Sequence, residues 1–507
     1  MSRLLVLACL CKKTKAPPGG IAQGLGQQPG HQESHHYVGT CETHTLPFVL
    51  SLDDALTALK SFVCQLRPPV LGQGILRVQV PLPPNVKALH WLQCQPECSL
   101  LLPRMYFSPR SNTPPHAGGS SIQVTVAGVG SAASFRGDEP FSKKHWNSIN
   151  RFLSEDSPLI RAYGAIRFNP EVEASEEWQA FGTFYFFIPQ IELCETGNYS
   201  LLAANLSWGD VAYEKAAETL LTALSSVSAS LNKLHLSNVV KTHKPDERCW
   251  HAKVNTVLRE LETKSETMKK VVMARQTRLE IDGEVPPLTL LASLQDQNPS
   301  AYQFCLQLPD GSAFIGNTPE QLFARHGLSV TSEAVAATRP RGETSVEDNQ
   351  IGLELLQSCK DHIEFQIVQE AVQSAMLSVC NDVKLAFVKG IIKQPRIQHL
   401  CTRFLGVLNN KRDEYDLLAA LHPTPAVCGH PSGAAKDVIA CTEKFDRGMY
   451  AGPVGWFGGQ GAEFAVGIRS ALDMFLYAGV GIVEGSNSSS EWHELELKTS
   501  QVGSFDM

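Results

Sequence analysis

Residues 301–318 read "AYQFCLQLPDGSAFIGNT". Two strand-like apolar runs, "AYQFCLQL" and "SAFIGNT", follow each other here with no helix between them. Parallel neighbours would need a crossover helix at this point. "VVMARQTRLEI" (271–281) and "EFAVGIRSAL" (463–472) are further strand candidates in the same half, alongside one long helix and several shorter ones. The pattern is α+β with largely antiparallel sheets.

The front half carries the same signals. "IQVTVAGVG", "FGTFYFFIPQ" and "SLLAANLSW" read as strands. "SLDDALTALKSFV" (51–63) reads as a helix with Ser51 and Asp54 in a capping pattern. "YEKAAETLLTALSSVSASLNKL" (213–234) has the 3.6-residue period of an amphipathic helix, and the polar "KTHKPDERCW" (241–250) after it reads as a connection. Three regions follow: a leader over 1–40, a front part over 41–240 and a second part over 245–505.

Composition excludes several classes. No run among the 507 residues approaches the ~18 apolar residues of a membrane helix. A formal net charge of -7 argues against a nucleic-acid partner, which would call for a basic excess. The 14 cysteines are scattered and read as free thiols in a reducing compartment. Cys94 and Cys98 in "CQPEC" have no second pair at zinc-finger distance. The leader "MSRLLVLACLCKKTKAPPGG" is basic and has no acid before Glu33, so it reads as an organellar transit peptide, with His31, His35 and His36 inside its tail.

Two helix faces carry paired acids. In "EDNQIGLELLQSCKDHIEFQIVQEAVQSAMLSV" (347–379), Glu364 falls in register with Val368, Ala371, Val372 and Ala375, and Asp361 lies three residues before it. In "AGVGIVEGSNSSSEWHELELK" (478–498), Glu491, Glu494 and Lys498 share a face if a helix begins at one of the serines. Carboxylates facing a core need a partner. A structural salt bridge is one answer; a hard cation such as Mg²⁺ held between the two faces is the other. The glycines at 479, 481 and 485 match neither the dinucleotide fingerprint nor a P-loop.

Eight segments then occur in a set order: "KKVVMAR" (269–275), "FIGNTPEQLF" (314–323), "SEAVAATRPRG" (332–342), "DHIEFQIV" (361–368), "HPTPAVCG" (422–429), "EKFDRGMYAGPVGWFGG" (443–459), "FAVGIRSA" (464–471) and the glycine-acid stretch at 478–498. This series resembles that of the chorismate-utilising enzymes, and within them the chain is most similar to the plant-type isochorismate synthases. "CETHTLPFVLS", "FSPRSN" and "SPLIRAYGAIRF" in the front part share the likeness, which covers residue 41 onward.

The resemblance implies stacked antiparallel sheets flanked by helices around a deep site. It implies Mg²⁺ on Glu364 and Glu494, with Asp361 and Glu491 nearby. It implies Arg469, Lys498 and the Gly479 backbone on substrate carboxylates, with Thr338 and Ala426 lining the substrate. Lys270 stands where isomerising members keep a water-activating lysine, and Glu320 where they keep a proton donor. Ala336 stands where aminodeoxychorismate synthases carry a nucleophilic lysine, which disfavours that branch. Ala337 stands where the family often has glycine.

The implied reaction is Mg²⁺-dependent conversion of chorismate to isochorismate in the plastid stroma by a monomer, its product feeding salicylate, phylloquinone or menaquinone synthesis. Water attacks C2 while the C4 hydroxyl leaves, so a base and an acid are needed: Lys270 held neutral and Glu320 held protonated. A salicylate synthase, which adds pyruvate elimination, shares the lysine and the glutamate and stays open. So does a silent chorismate-binding protein, against which the retained Lys270, Glu320 and acids speak.

Overall fold

The computed structural model describes residues 40–68, 72–110, 124–228, 237–264, 267–282 and 286–503. The leader assigned to 1–40 lies, up to residue 39, outside the described residues. Among the described residues twenty strands join one hydrogen-bonded network, and every pairing is antiparallel except that of Thr40–Thr45 with Gly74–Leu82. The expected class, α+β with large antiparallel sheets and flanking helices, is the one observed.

The network forks. Phe184–Glu195 pairs along its length with Thr125–Gly137, while its other edge is shared by Arg161–Ile166 at one end and Ser200–Trp208 at the other. One arm runs through Arg104–Ser108 and Tyr302–Gln307 to Ala313–Thr318, Ser470–Leu472, Phe475–Ile482 and Lys270–Asp282. The second runs through Pro453–Gly458 and Gly461–Val466 to Gln321–His326, Ser329–Pro340 and Ile397–Leu408. In both arms strands of the front part are thus continued directly by strands of the second part. The runs "AYQFCLQL" and "SAFIGNT" form the antiparallel pair that their spacing requires, with Phe304 opposite Gly316.

Two short crossings in the second part carry the chain directly from one arm to the other. Pro319 and Glu320 separate Thr318 of the first arm from Gln321 of the second. Gly467, Ile468 and Arg469 separate Val466 of the second arm from Ser470 of the first. These crossings lie side by side: Val466 N donates to Glu320 O at 3.0 Å, and Asn317 N donates to Arg469 O at 3.0 Å. They form one bent two-stranded ribbon.

Helices cover the outer faces where the sequence places apolar stripes. Leu52–Gln65 starts at Ser51, whose hydroxyl accepts from Asp54 N at 3.1 Å, as the capping pattern predicts. Tyr213–Ser226 realises the amphipathic helix; residues 229–234 of that prediction lie outside the described residues. Among the described residues no helix is long and apolar enough to cross a membrane.

Two expectations are corrected. "KTHKPDERCW" is not a connection: strand Ser237–Lys244 runs into it and helix Glu247–Thr263 leaves it, with Asp246 capping Cys249 N at 2.9 Å. The strand is an edge, paired among the described residues only with Lys270–Asp282, so it tolerates a polar sequence. The long helix over 347–379 is two, Ser345–Gln357 and Cys359–Leu377. Ser358 is extended (φ -66°, ψ 120°) and caps the second helix by accepting from Asp361 N at 3.3 Å. Serine suits a cap as well as a helix, so periodicity hides the break.

The core between the arms is aromatic, and one glycine is fixed by it. Gly448 has φ +52°, and a Cβ there would stand 1.9 Å from the ring of fully buried Trp178. Gly448→Ala is expected to cost about 2–4 kcal/mol from overpacking and left-handed strain together. Urea unfolding should show this as a lower midpoint; a parental midpoint would contradict the packing described.

Candidate active site

A pocket opens in the wedge between the arms. Lys270 and Gly479 come from strands of the first arm, Thr338 and His399 from strands of the second, and Glu320 and Arg469 from the two crossings. Glu364 enters from helix Cys359–Leu377, and Glu494 and Lys498 from helix Ser488–Gly503. Ala426 and Val427 give an apolar wall. Buried Arg447 holds that wall by donating to Val427 O at 2.9 Å and Val272 O at 2.8 Å. Nine of the eleven residues assigned catalytic, substrate or metal roles, Ala426 among them, therefore line one cavity; Asp361 and Glu491 do not.

Lys270 is 1% exposed, and its Nζ lies 2.9 Å from Glu364 Oε1. Room for this pair comes from Gly481 on the neighbouring strand, where a Cβ would fall 2.4 Å from Glu364 Oε1 and 2.8 Å from Lys270 Cε. Glu320 is buried, which raises its carboxyl from the ordinary range to about 7. Lys270, Arg469 and Lys498 act to lower that value, and Glu333 acts to raise it. The neutral acid is thus within easy reach near pH 7. Arg469, at φ +50°, turns back into the site, where burial lowers its guanidinium to about 10.

Lys498 does both things considered for it. Its Nζ lies 2.7 Å from Glu494 Oε1, four residues earlier on the helix, and donates to Gly479 O at 2.8 Å while facing the cavity. Burial would raise Glu494, yet Lys498 and the Thr338 hydroxyl hold it below its ordinary value. Glu491 is raised by burial and by Glu494, and pairs with Lys360 at 3.1 Å. Asp361 is buried behind the site in an ion pair with Arg339.

Each of the four acids therefore holds a cationic side chain, and among the described residues no three acids converge as a ready-made cation cage. The donor chemistry nevertheless fits a hard divalent ion. Two carboxylates face one cavity, and a third, Glu491, lies within the electrostatic reach of both.

Other lining residues were given no role by the motif series, His399, Tyr450 and Gly481 among them. His399 Nδ1 lies 3.3 Å from both Thr338 Oγ1 and Ala337 O, while its buried Nε2 has no hydrogen-bond partner among the described residues. Burial, with Arg469 and Lys498 nearby, lowers its pKa well below the usual value, so the ring is neutral. Its signal in the sequence was a lone polar ring in the apolar strand 397–408. Tyr450 stacks on Tyr477 at 5.2 Å, and Gly481 was one of the noted glycines. Ala337 has φ +57° at a register shift between Ala336 and Thr338, a backbone that a glycine would adopt without strain.

A buried acid, a buried lysine and a guanidinium around a small polar cavity define an enzyme site for a small anionic molecule. The model of the chorismate binding enzymes matches residues 73–504, and the chain belongs to that family. It is 46% identical over 490 residues to isochorismate synthase 2, chloroplastic, of Arabidopsis thaliana, covering 92% of this chain and 86% of the relative. To the chloroplastic isochorismate synthase of Catharanthus roseus it is 44% identical over 503 residues, covering 92% and 87%. The structure of MenF, the menaquinone-specific isochorismate synthase of Escherichia coli, superposes with a TM-score of 0.77 at 25% identity, covering 89% of this chain and 98% of that one.

The protonation of Glu320 can be read directly. A ¹³C carboxyl titration is expected to give a midpoint of about 7. A midpoint in the ordinary glutamate range would show the carboxyl to be hydrated.

Proposed function

We infer that this chain is an isochorismate synthase: it converts chorismate to isochorismate with Mg²⁺ and acts in the chloroplast. The observation that carries the reading is the pairing, in one cavity, of buried Lys270 with a glutamic acid whose carboxyl sits at about 7. Water addition at C2 and loss of hydroxide from C4 need a proton removed at one atom and supplied at another. Once its ammonium has given a proton to solvent and left Glu364, Lys270 Nζ takes the proton of the attacking water as the O–C2 bond forms. The ring double bonds shift, the C4–O bond breaks, and Glu320 delivers its proton to the departing oxygen. The protons balance between the two residues.

Arg469 and Lys498 hold substrate carboxylate oxygens, Arg469 with the planar geometry that suits a bidentate contact. Ala426 and Val427 cover the apolar side of the ring, Thr338 fixes Glu494, and the Gly479 carbonyl fixes Lys498. Glu364 and Glu494 would hold the metal ion, with Glu491 and Asp361 adding negative charge nearby. Mg²⁺, when bound, supplies positive charge for the ring carboxylate. The chloroplastic relatives and the basic leader support the plastid assignment.

The test is a product assay with chorismate, with and without Mg²⁺. Isochorismate is expected without pyruvate or salicylate; stoichiometric pyruvate would instead make the protein a salicylate synthase. Lys270→Ala should lower turnover at least about 100-fold, the scale of general-base catalysis, while chorismate still binds. Undiminished isochorismate formation would remove Lys270 from the mechanism. Glu364→Gln should shift the Mg²⁺ titration to higher concentration with little change in melting temperature, and an unaltered titration would sink its role as a ligand.

A further inference from the structure

Behind the crossing that carries Glu320 lies a buried charge cluster to which the reaction described above gives no part. Glu333, on strand Ser329–Pro340, is 6% exposed. Its Oε1 accepts from Arg110 Nη2 at 2.6 Å and from Arg403 Nη2 at 2.5 Å and Nε at 3.0 Å. Arg110 also donates from Nη1 to Pro319 O at 2.8 Å, the peptide carbonyl next to the acid. Glu333 Oε2 is buried without a hydrogen-bond partner among the described residues.

We propose that Glu333, clamped by Arg110 and Arg403, is a positioning residue that keeps the proton on Glu320 and fixes its backbone. The proposal rests on the isomerase reading of the site. A buried ion triad is commonly replaceable by apolar residues without loss of stability, so packing alone does not call for one here. Its electrical effect is specific. Lys270, Arg469 and Lys498 face Glu320 and favour its carboxylate, and the Tyr450 hydroxyl also lies within electrostatic reach. Glu333 is the anion that opposes those cations. Around Glu333 itself stand Arg110, Arg403, Cys401 and Tyr302, and the two guanidiniums hold it ionised against burial. Two carboxyls in one region are thus driven apart, one charged and one able to stay protonated.

The test compares the full-length parent, Glu333→Gln and Arg403→Gln by ¹³C carboxyl titration of Glu320 and by turnover of chorismate with Mg²⁺. Glu333→Gln is expected to lower the Glu320 midpoint by about one pH unit, within the range neighbouring charges exert. Its turnover at neutral pH should fall several-fold. Arg403→Gln removes a cation and leaves the Arg110 contacts in place, so the midpoint should move up. A purely structural cluster would destabilise both variants without shifting the midpoint in opposite directions. Midpoints that stay put, or that move the same way, overturn the proposal. If Glu333→Gln does not fold, the direction in Arg403→Gln decides. If the parent makes no isochorismate the isomerase reading fails, whereas the titration still reports on the Glu333 clamp.

Discussion

Two peptide hydrogen bonds, Val466 N to Glu320 O and Asn317 N to Arg469 O, hold together the places where the chain passes between the two arms. Everything in the pocket depends on that ribbon staying bent. The arms diverge on either side of it, and the wedge between them is the cavity. The residues at the bend cannot all lie within a regular ladder. Glu320 follows a proline, and Arg469 adopts φ +50°, so both side chains depart from the alternation of the strands they join. A left-handed conformation costs an L-residue about 1–2 kcal/mol and persists only when the surroundings fix it. Here the Asn317 amide is bonded to the carbonyl of the strained residue itself.

The second constraint is charge. Lys270, Glu320, Arg469, Glu494 and Lys498 are largely buried around one cavity, and unpaired ions there would be costly. Lys270 rests on Glu364, and Lys498 on Glu494. Glu320 is in no ion pair among the described residues, and burial moves its carboxyl toward the neutral form. An acid that can keep its proton near pH 7 follows from that distribution of partners. Neutral His399, with Nε2 unpartnered among the described residues, leaves one polar nitrogen on the wall of a site otherwise dominated by ions.

How much of this could be read in the sequence differs residue by residue. The antiparallel class was legible because strand runs such as 301–308 and 312–318 have no room between them for a helix. Glu364 and Glu494 were legible as acids on helix faces, since helical register is a local property. Lys270 alone looks like a surface lysine beside Lys269; its burial is set by His430, Gly481 and Glu364, all distant in sequence. The meeting of Glu320 with Arg469 depends on a register across some 140 residues, Gln321 opposite Ala465 and Gly316 opposite Ser470, which no local pattern encodes. His399 was missed for the same reason, and the break at Ser358 because its hydroxyl supports either reading.

That break has a consequence for the site. A continuous helix over 347–379 would carry Asp361 as one more mid-helix residue. Ending the first helix at Gln357 makes Asp361 a first-turn acid, with its amide on the Ser358 hydroxyl and its carboxylate on Arg339. Acids are favoured in a first turn, where unpaired amides give partial positive charge. Glu364 follows one turn later on the face that meets Lys270. In the other wall helix, Ser488–Gly503, Glu491 likewise occupies the first turn and Glu494 follows three residues on. Both helices thus present an acid at the N-terminus and a second acid toward the cavity. Two helix starts converge on one place, and the charge that each favours is negative. That common polarity, more than the spacing of any single pair, is what gathers carboxylates at the end of the wedge.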